Sequence, residues 1–148
     1  MTDEEIYELR GRELDAAVAE HVMGYLRVCN PNDGGEYYAL KPPGNLDGMI
    51  PSRPNAKKYG DWNKDVPYFS TDLNACALME KRIEQQSLIL CYGYILANSM
   101  QGRFAELIPT VGNHHIAGAP TLAYLHATVP AKTRCHSALM AALGTMTP

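Results

Sequence analysis

The sequence predicts a single three-layer α/β/α sandwich domain with a largely antiparallel central sheet, flanked by N-terminal, middle and C-terminal helices. Three observations predict it. Segments with helical and strand-like apolar spacing follow one another along the chain. Residues 87–98 are apolar on both faces, as in a strand that is covered by helices on both sides. The length of 148 residues suits one domain, and 46% hydrophobic with 20% charged residues is a globular composition.

The first predicted element is a long helix over residues 3–25. Thr2 and Glu5 have the spacing of a capping box, in which each side chain accepts a backbone N–H of the other. Apolar residues then recur at helical spacing, and Gly24 is a suitable end. Gly11 costs about 1 kcal/mol relative to alanine in a helix interior. We interpret it mainly as tolerated within a long helix, and otherwise as a point of close backbone approach.

Residues 30–67 form a Pro- and Gly-rich segment in which only residues 36–41 look like a strand. A loop of this length is usually functional or disordered. The segment keeps aromatic residues that a disordered linker rarely keeps, namely Tyr37, Tyr38, Tyr59 and Trp62. It also carries four basic residues, which we interpret as a solvated surface in preference to a binding patch: Arg53, Lys57, Lys58 and Lys64.

The centre of the chain predicts a helix over residues 72–86 followed by a strand over residues 87–98. Ser70 or Thr71 is the expected N-cap of this helix, and Asp72 complements the helix dipole. The remainder predicts a turn at 99–102, a strand at 103–108, a loop at 112–120 and a strand at 121–128. Pro130 then marks the start of the last helix and Gly144 its end.

Charge and hydropathy argue against several classes of function. The formal net charge of −3 argues against non-specific binding to nucleic acid or to an anionic membrane. The longest apolar run, residues 88–97, is too short to span a bilayer. Residues 2–5 are acidic, which is unlike a secretory signal. The chain contains none of the common nucleotide-loop, zinc-protease or nucleophile-elbow motifs.

Cysteine and histidine spacing predicts neither a metal nor a cofactor. No two of the four cysteines have C-x-x-C spacing, so we interpret them as small buried hydrophobic residues of a reducing cytoplasm. His114 and His115 could both reach one ion, but no third ligand has suitable spacing. The same histidines with Ser99 or Thr110 would allow acid–base chemistry, which is the basis of a less favoured small-hydrolase alternative.

Three parts of the chain resemble the phage ABA (α/β/α) sandwich family of small tailed-phage and prophage proteins. Residues 2–6 (TDEEI) with residues 11–16 (GRELDA) resemble the family's opening. Residues 66–73 (VPYFSTDL) resemble its central P-x-Y-S-T-D-I segment, with Phe69 as an extra or substituted residue. Residues 127–130 (ATVP) and 135–141 (CHSALMA) resemble A-x-T-x-P and C-R-A-A-L-L-A, where His136 replaces an arginine and Arg134 lies close by.

The resemblance implies a non-virion accessory protein in the cytoplasm of the infected bacterial host. It favours an anti-defence role over metabolism. By analogy of origin with other small phage proteins, we expect a protein that sequesters a small nucleotide-type immune signal.

A sequestering site needs N–H donors for phosphate and an aromatic face for the base. Two predicted helix N-termini offer such donors, and the one near Lys132 is favoured because Asp72 repels phosphate at the other. Trp62, Tyr68 and Tyr38 are the stacking candidates. Capping by Ser70 or Thr71 and helix packing by Tyr68 are the structural alternatives. The predicted ligand-binding residues are Trp62, Tyr68, Ser70, Thr71, Lys132, Thr133 and Arg134.

Two classes of partner therefore remain open. A small anionic nucleotide-like ligand would occupy a concave pocket with basic groups pointing inward, completed by a second subunit of a homo-oligomer. A protein-binding inhibitor of a host factor would instead present the aromatic residues between positions 37 and 62 as an exposed patch that a partner orders.

Overall fold

The computed structural model describes residues 1–99 and 129–144. Within these ranges the chain has mixed α and β structure, as predicted, with five α-helices and a four-stranded sheet. The helices are α1 (Asp3–Glu8), α2 (Gly11–His21), α3 (Leu73–Gln85), α4 (Ile89–Ser99) and α5 (Ala131–Leu143). The strands are β1 (Leu26–Cys29), β2 (Tyr37–Lys41), β3 (Ile50–Pro51) and β4 (Lys57–Lys58), with a 3₁₀ turn at Pro31–Asp33.

All four described strands come from the first 58 residues, mostly from the segment expected to be a loop. The strand order is β3-β1-β2-β4, with antiparallel β3–β1 and β1–β2 pairs and a parallel β2–β4 pair. The predicted strand at 36–41 is confirmed as β2. The prolines and glycines that suggested a loop instead separate short strands, because they form the turns between them. The predicted strands at 103–108 and 121–128 lie outside the described residues.

Helix α5 lies at the centre of the helical core. It packs against α1, α2, α3 and α4, and nine of its residues are buried. Many of these are small, so neighbouring helices can approach closely. Pro130 is its N-cap residue and Gly144 its left-handed C-cap, which confirms both predicted ends. None of the described helices combines the length and apolarity needed to cross a membrane.

Helix α2 packs against β2 on the sheet face that carries Tyr38 and Leu40. Both side chains belong to the main apolar core. Val28 and Ala39 are paired across β1 and β2 and are also buried, but they lie outside that core cluster. The three-layer arrangement itself stays a prediction.

The prediction of one continuous helix over residues 3–25 is wrong. The capping box of Thr2 and Glu5 is confirmed, but α1 ends at Glu8 and α2 starts at Gly11. Gly11 has φ +49°, a left-handed conformation that interrupts a regular helix. Apolar spacing continues on both sides of the break, so the spacing alone could not reveal it.

The predicted strand over residues 87–98 is also wrong, because this segment forms α4. Its buried residues include Tyr92, Ile95 and Leu96, which share one face at helical spacing. A segment that is apolar on all sides fits a buried helix and a buried strand equally well. The helix predicted over 72–86 is confirmed as α3, but its N-cap is Asp72 in place of Ser70 or Thr71. The Asp72 carboxylate accepts the Asn74 N–H at 2.8 Å.

Candidate functional site

A surface pocket of about 550 Å³ lies beside the β2–β4 edge of the sheet. Its volume is within the range of roughly 300–1,000 Å³ that is usual for small-molecule sites. We call it the basic pocket, and its lining residues are Gly35, Glu36, Arg53, Pro54, Asn55, Ala56 and Lys57.

Two turns build the walls of the basic pocket. In the first, the Ala56 N–H donates to the Arg53 carbonyl at 3.1 Å, and Pro54 fixes the backbone at the second turn position. In the second, Gly34 and Gly35 both have left-handed backbones, at φ +62° and +79°. A Cβ at Gly35 would lie 3.0 Å from Arg53 Cγ. Glycine at position 35 therefore leaves room for the Arg53 side chain to cross this turn.

Strand pairing sorts two neighbouring lysines onto opposite faces of the sheet. Lys57 lies opposite Tyr37, and Lys58 lies opposite Tyr38. Because successive side chains of a strand alternate between faces, Lys57 shares a face with Tyr37 while Lys58 lies on the face that α2 covers. In agreement, Lys57 lines the basic pocket, whereas Lys58 lines a smaller cavity on the opposite face of the sheet.

Two stacked tyrosines lie on the Lys57 face. The rings of Tyr37 and Tyr59 are 5.6 Å apart between centroids and inclined by 24°. We call them the tyrosine pair. The Tyr59 hydroxyl donates to the Asp33 carboxylate and accepts the Asn30 N–H, so this ring is fixed in place. Tyr37 remains 40% exposed.

A smaller cavity of about 130 Å³ lies between α2 and the opposite face of the sheet. We call it the aromatic groove. Trp62, one of the predicted ligand residues, contacts Tyr38 edge to face at 6.1 Å between ring centroids. The Lys58 ammonium lies 4.1 Å above the Trp62 ring and 2.8 Å from the Glu13 carboxylate. The Trp62 ring and the lysine beside it are therefore already engaged within the protein.

The second cation of the aromatic groove is engaged in the same way. The Arg27 guanidinium lies 4.8 Å above the Tyr38 ring and contacts the Glu20 carboxylate at 2.6 Å. Glu20, through its hydrogen bond and its charge, raises the pKa of Arg27. Each cation of this groove thus has a carboxylate partner.

Tyr68 is 60% exposed at the start of the segment that leads into α3. The Arg12 guanidinium lies 4.1 Å above its ring. Arg12 also pairs with the buried Asp15 carboxylate at 3.1 Å. Arg12 further donates to three backbone carbonyls of the loop that leads into α3, those of Asn63, Val66 and Pro67. Arg12 therefore holds the loop before α3 against α2.

Ser70 and Thr71 lie beside this arginine-centred contact. The buried Ser70 N–H donates to the Asp15 carboxylate at 2.7 Å, and the Ser70 hydroxyl is buried with no partner among the described residues. Thr71 is exposed, and its N–H donates to the Tyr68 carbonyl at 3.1 Å. A ligand role for either residue stays a prediction.

The structure separates the predicted residues at the start of α5. Lys132 is exposed and Thr133 is partly buried. Arg134 instead extends into the interior, where its Nε–H donates to the Val129 carbonyl at 3.0 Å. Its guanidinium lies 3.6 Å from the buried Glu80 carboxylate. This internal pairing leaves Lys132 as the exposed basic residue of the predicted pair.

Arg134 and Glu80 belong to a buried polar cluster between α3, α4 and α5. The Tyr92 hydroxyl donates to Glu80 at 2.5 Å. Cys76 and Cys135 are fully buried, and the interaction between the two thiols lowers the pKa of Cys76 and raises the pKa of Cys135. All four cysteines are free thiols, and three are buried, as the sequence predicts for small buried residues.

The described residues contain no group of three or more side chains suited to hold a metal ion. His114 and His115, the histidines considered for a metal, lie outside these residues, as does Thr110. No protein-family model, no curated protein and no solved structure matches the chain. The resemblance to the phage family therefore stays a prediction.

The seven predicted ligand residues lie in three places: the aromatic groove, the start of α3 and the start of α5. The basic pocket contains none of them. Its main residues, Arg53 and Lys57, had been interpreted as solvated surface. Pro54 lies between the two cations and indicates a turn, but the turn at Gly34 and Gly35, which completes the pocket, lies far from both cations along the chain.

Proposed function

We propose that this protein binds a small anionic nucleotide-type ligand in the basic pocket and holds it without chemical change. We further propose that it does so as a phage-encoded anti-defence protein in the cytoplasm of the host. The observation that carries the binding proposal is the pair of cations, Arg53 and Lys57, on the wall of a pocket of ligand size.

The charges of these two residues are available to a ligand. Within the described part of the chain, neither Arg53 nor Lys57 forms an ion pair. Other basic residues of the same segment do: Lys41 contacts Asp47, Lys58 contacts Glu13 and Lys64 contacts Asp61. A phosphate at the basic pocket would therefore meet two cations without displacing a carboxylate partner.

The lining also supplies groups that orient a ligand. Asn55 offers both a donor and an acceptor, and Glu36 offers an acceptor for an amino group. The Pro54 turn and the β2–β4 pairing hold these groups on fixed backbone. A preorganised site reduces the entropy that is lost on binding.

A thermal-shift panel tests the proposal. The purified protein is heated with cyclic dinucleotides, cyclic ADP-ribose isomers, NAD and mononucleotides. A ligand at 100 times its dissociation constant stabilises the folded state by about 2.7 kcal/mol, which gives a clear rise in melting temperature. Recovery of the intact ligand after heating supports sequestration, whereas recovery of a cleaved product contradicts it and favours a small hydrolase.

Neighbouring lysines provide a matched pair of variants. We expect Lys57→Ala to weaken binding of the best ligand about 10- to 100-fold, because a charged hydrogen bond contributes about 1.5–3 kcal/mol. Lys58→Ala, on the opposite face of β4, should change the affinity less than twofold. Titration calorimetry measures both. Loss of binding in the Lys58 variant alone would place the ligand in the aromatic groove.

The two consecutive glycines give a second control at the same pocket. Gly34→Ala and Gly35→Ala both introduce a side chain at a left-handed backbone, but only the second would displace Arg53. We therefore expect Gly35→Ala to weaken binding more than Gly34→Ala at a similar loss of stability. Equal affinities would contradict a role for Arg53.

The alternative proposal is inhibition of a host protein, and it becomes the leading one if no nucleotide shifts the melting temperature. Of the aromatic residues between positions 37 and 62, the tyrosine pair is the part that a host partner could contact, because Tyr37 is 40% exposed. Tyr38 is 5% exposed and Trp62 packs against the core. A host partner that binds this segment would therefore contact the tyrosine pair.

A further inference from the structure

The tyrosine pair offers a flat aromatic surface on the sheet face that carries Lys57, beside the residues that line the basic pocket. Tyr37 is 40% exposed, and its ring rests on the Tyr59 ring. Tyr59 in turn is held by hydrogen bonds to Asp33 and Asn30. A flat ring held in place in this way can stack on a planar base with little loss of side-chain entropy.

The β2–β4 ladder fixes this surface relative to the pocket cations. Tyr37 lies directly opposite Lys57, so the two side chains project from the same face of the sheet. Two backbone hydrogen bonds hold the ladder. The Lys57 N–H donates to the Glu36 backbone carbonyl at 2.7 Å, and the Tyr59 N–H donates to the Tyr38 backbone carbonyl at 3.0 Å. The Tyr37 and Lys57 side chains therefore start from neighbouring points on one rigid backbone unit.

The three stacking candidates predicted from the sequence are already covered, Tyr38 by burial at 5% exposure and the other two by cations. A lysine ammonium lies 4.1 Å above the Trp62 ring, and a guanidinium lies 4.1 Å above the Tyr68 ring. Among the described residues, no cation lies over the Tyr37 ring. Tyr37 is thus the candidate ring that combines exposure, a fixed position and adjacent cations without ion-pair partners.

We propose that the tyrosine pair is the base-recognition surface of the basic pocket: the planar base of the ligand stacks on Tyr37 while Arg53 and Lys57 hold its phosphate. This inference rests on the proposed function. It specifies the ligand class as one in which a planar base and a phosphate are joined by a sugar. Stacking tolerates different bases, so the phosphate and the presence of a base define recognition.

The experiment compares two probes that share a phosphate and differ in the base. Adenosine 5′-monophosphate and ribose 5-phosphate are titrated calorimetrically into the full chain. Stacking of one base contributes about 1–3 kcal/mol, so we expect the nucleotide to bind about 5- to 150-fold more tightly than the sugar phosphate. Equal affinities in the wild-type protein would overturn the inference and leave the proposed function standing.

Variants then assign the difference to one ring. Tyr37→Leu should reduce the affinity for the nucleotide to that for ribose 5-phosphate, with the sugar phosphate affinity unchanged. Tyr37→Phe should keep the difference, because it keeps the ring. Tyr68→Leu, at an exposed ring outside the basic pocket, is the matched control and should keep it as well. The assignment would be overturned if Tyr68→Leu removed the difference in affinity between the two probes and Tyr37→Leu kept it.

The outcomes separate this inference from the proposed function. If both probes bind and Lys57→Ala weakens both, the phosphate part of the site is supported regardless of the base. If neither these probes nor any nucleotide of the panel binds, the proposed function is overturned and the base-recognition role with it. Far-ultraviolet circular dichroism of each variant shows that it is folded before it is titrated.

Discussion

At the scale of single residues, the structure divides the basic side chains into three groups. Arg12 and Arg134 hold the protein together through buried carboxylates and backbone carbonyls. Lys58 and Arg27 pair with carboxylates at the surface, and the buried Lys41 pairs with Asp47. Arg53 and Lys57 have no such partner within the described ranges. Sequence could not make this division, because decisive partners such as Glu80 of Arg134 and Glu13 of Lys58 lie far away along the chain.

His136 stands where the phage family that the chain is predicted to resemble has an arginine. It is buried beside the α1–α2 junction, with its Nε2 3.3 Å from the Leu9 carbonyl and its ring against Tyr7. Burial is the main cause that lowers the pKa of His136, and the positive charges of Lys132 and Arg10 lower it further. The Leu9 hydrogen bond acts in the opposite direction.

This shift predicts a pH-dependent stability. Because the pKa of His136 is lower in the folded chain than the unfolded value of 6.5, acid protonates the unfolded chain first. The contribution of His136 to the free energy of unfolding is complete above pH 6.5. It is lost as the pH falls through the lower pKa of the folded chain. We expect the free energy of unfolding, measured by urea denaturation from about pH 8 to pH 5, to fall more in wild type than in His136→Gln.

The comparison between the two proteins removes the contribution of the carboxylates, which titrate in both. Equal losses of stability would show that the surroundings of His136 do not disfavour its charged form.

At the scale of elements, the break between α1 and α2 depends on one glycine. Gly11 has φ +49°, and no atom would lie within 4 Å of an added Cβ. An alanine there has room but an unfavourable backbone, which costs about 1–3 kcal/mol. We therefore expect Gly11→Ala to lower the free energy of unfolding by that amount in chemical denaturation.

Gly60→Ala is the matched control for this variant. Gly60 also has open space around a Cβ, and its backbone is not left-handed. Its replacement should be neutral or stabilise the protein by up to about 1 kcal/mol. If the two variants had the same stability, the left-handed conformation of Gly11 would not be required for the break.

The elements also show which sequence signals were sufficient. The caps of α5 and the capping box of α1 are local, and the sequence predicted them correctly. The conformation of residues 89–99 is not a local property, because the segment is apolar on every side. Its helical form depends on packing against α5.

At the scale of the whole molecule, α5 connects the other helices around a partly polar centre. The Arg134–Glu80 pair and the Tyr92 hydroxyl lie within this centre. Loss of one member of a buried ion pair typically costs about 3–5 kcal/mol. We expect Arg134→Met to destabilise the fold by this amount, while Lys132→Ala changes stability by less than about 0.5 kcal/mol.

Thermal and chemical denaturation measure the difference in stability between the two variants. Each folded variant is then titrated with the best ligand to measure its affinity. A structural Arg134 leaves the ligand affinity unchanged. A stable Arg134 variant that no longer binds ligand would instead support the anion site that the sequence suggested at the start of α5.

The sequence by itself determined the mixed α/β class, β2, the positions of α3 and α5, and the ends of α5, because caps, turns and apolar spacing act over a few residues. Tertiary structure decided the rest. It turned a Pro- and Gly-rich segment into a sheet, made α4 a helix, and directed Arg134 inward to Glu80. It also left Arg53 and Lys57 at a pocket edge. These outcomes depend on contacts between distant residues, for which a single sequence carries no local signal.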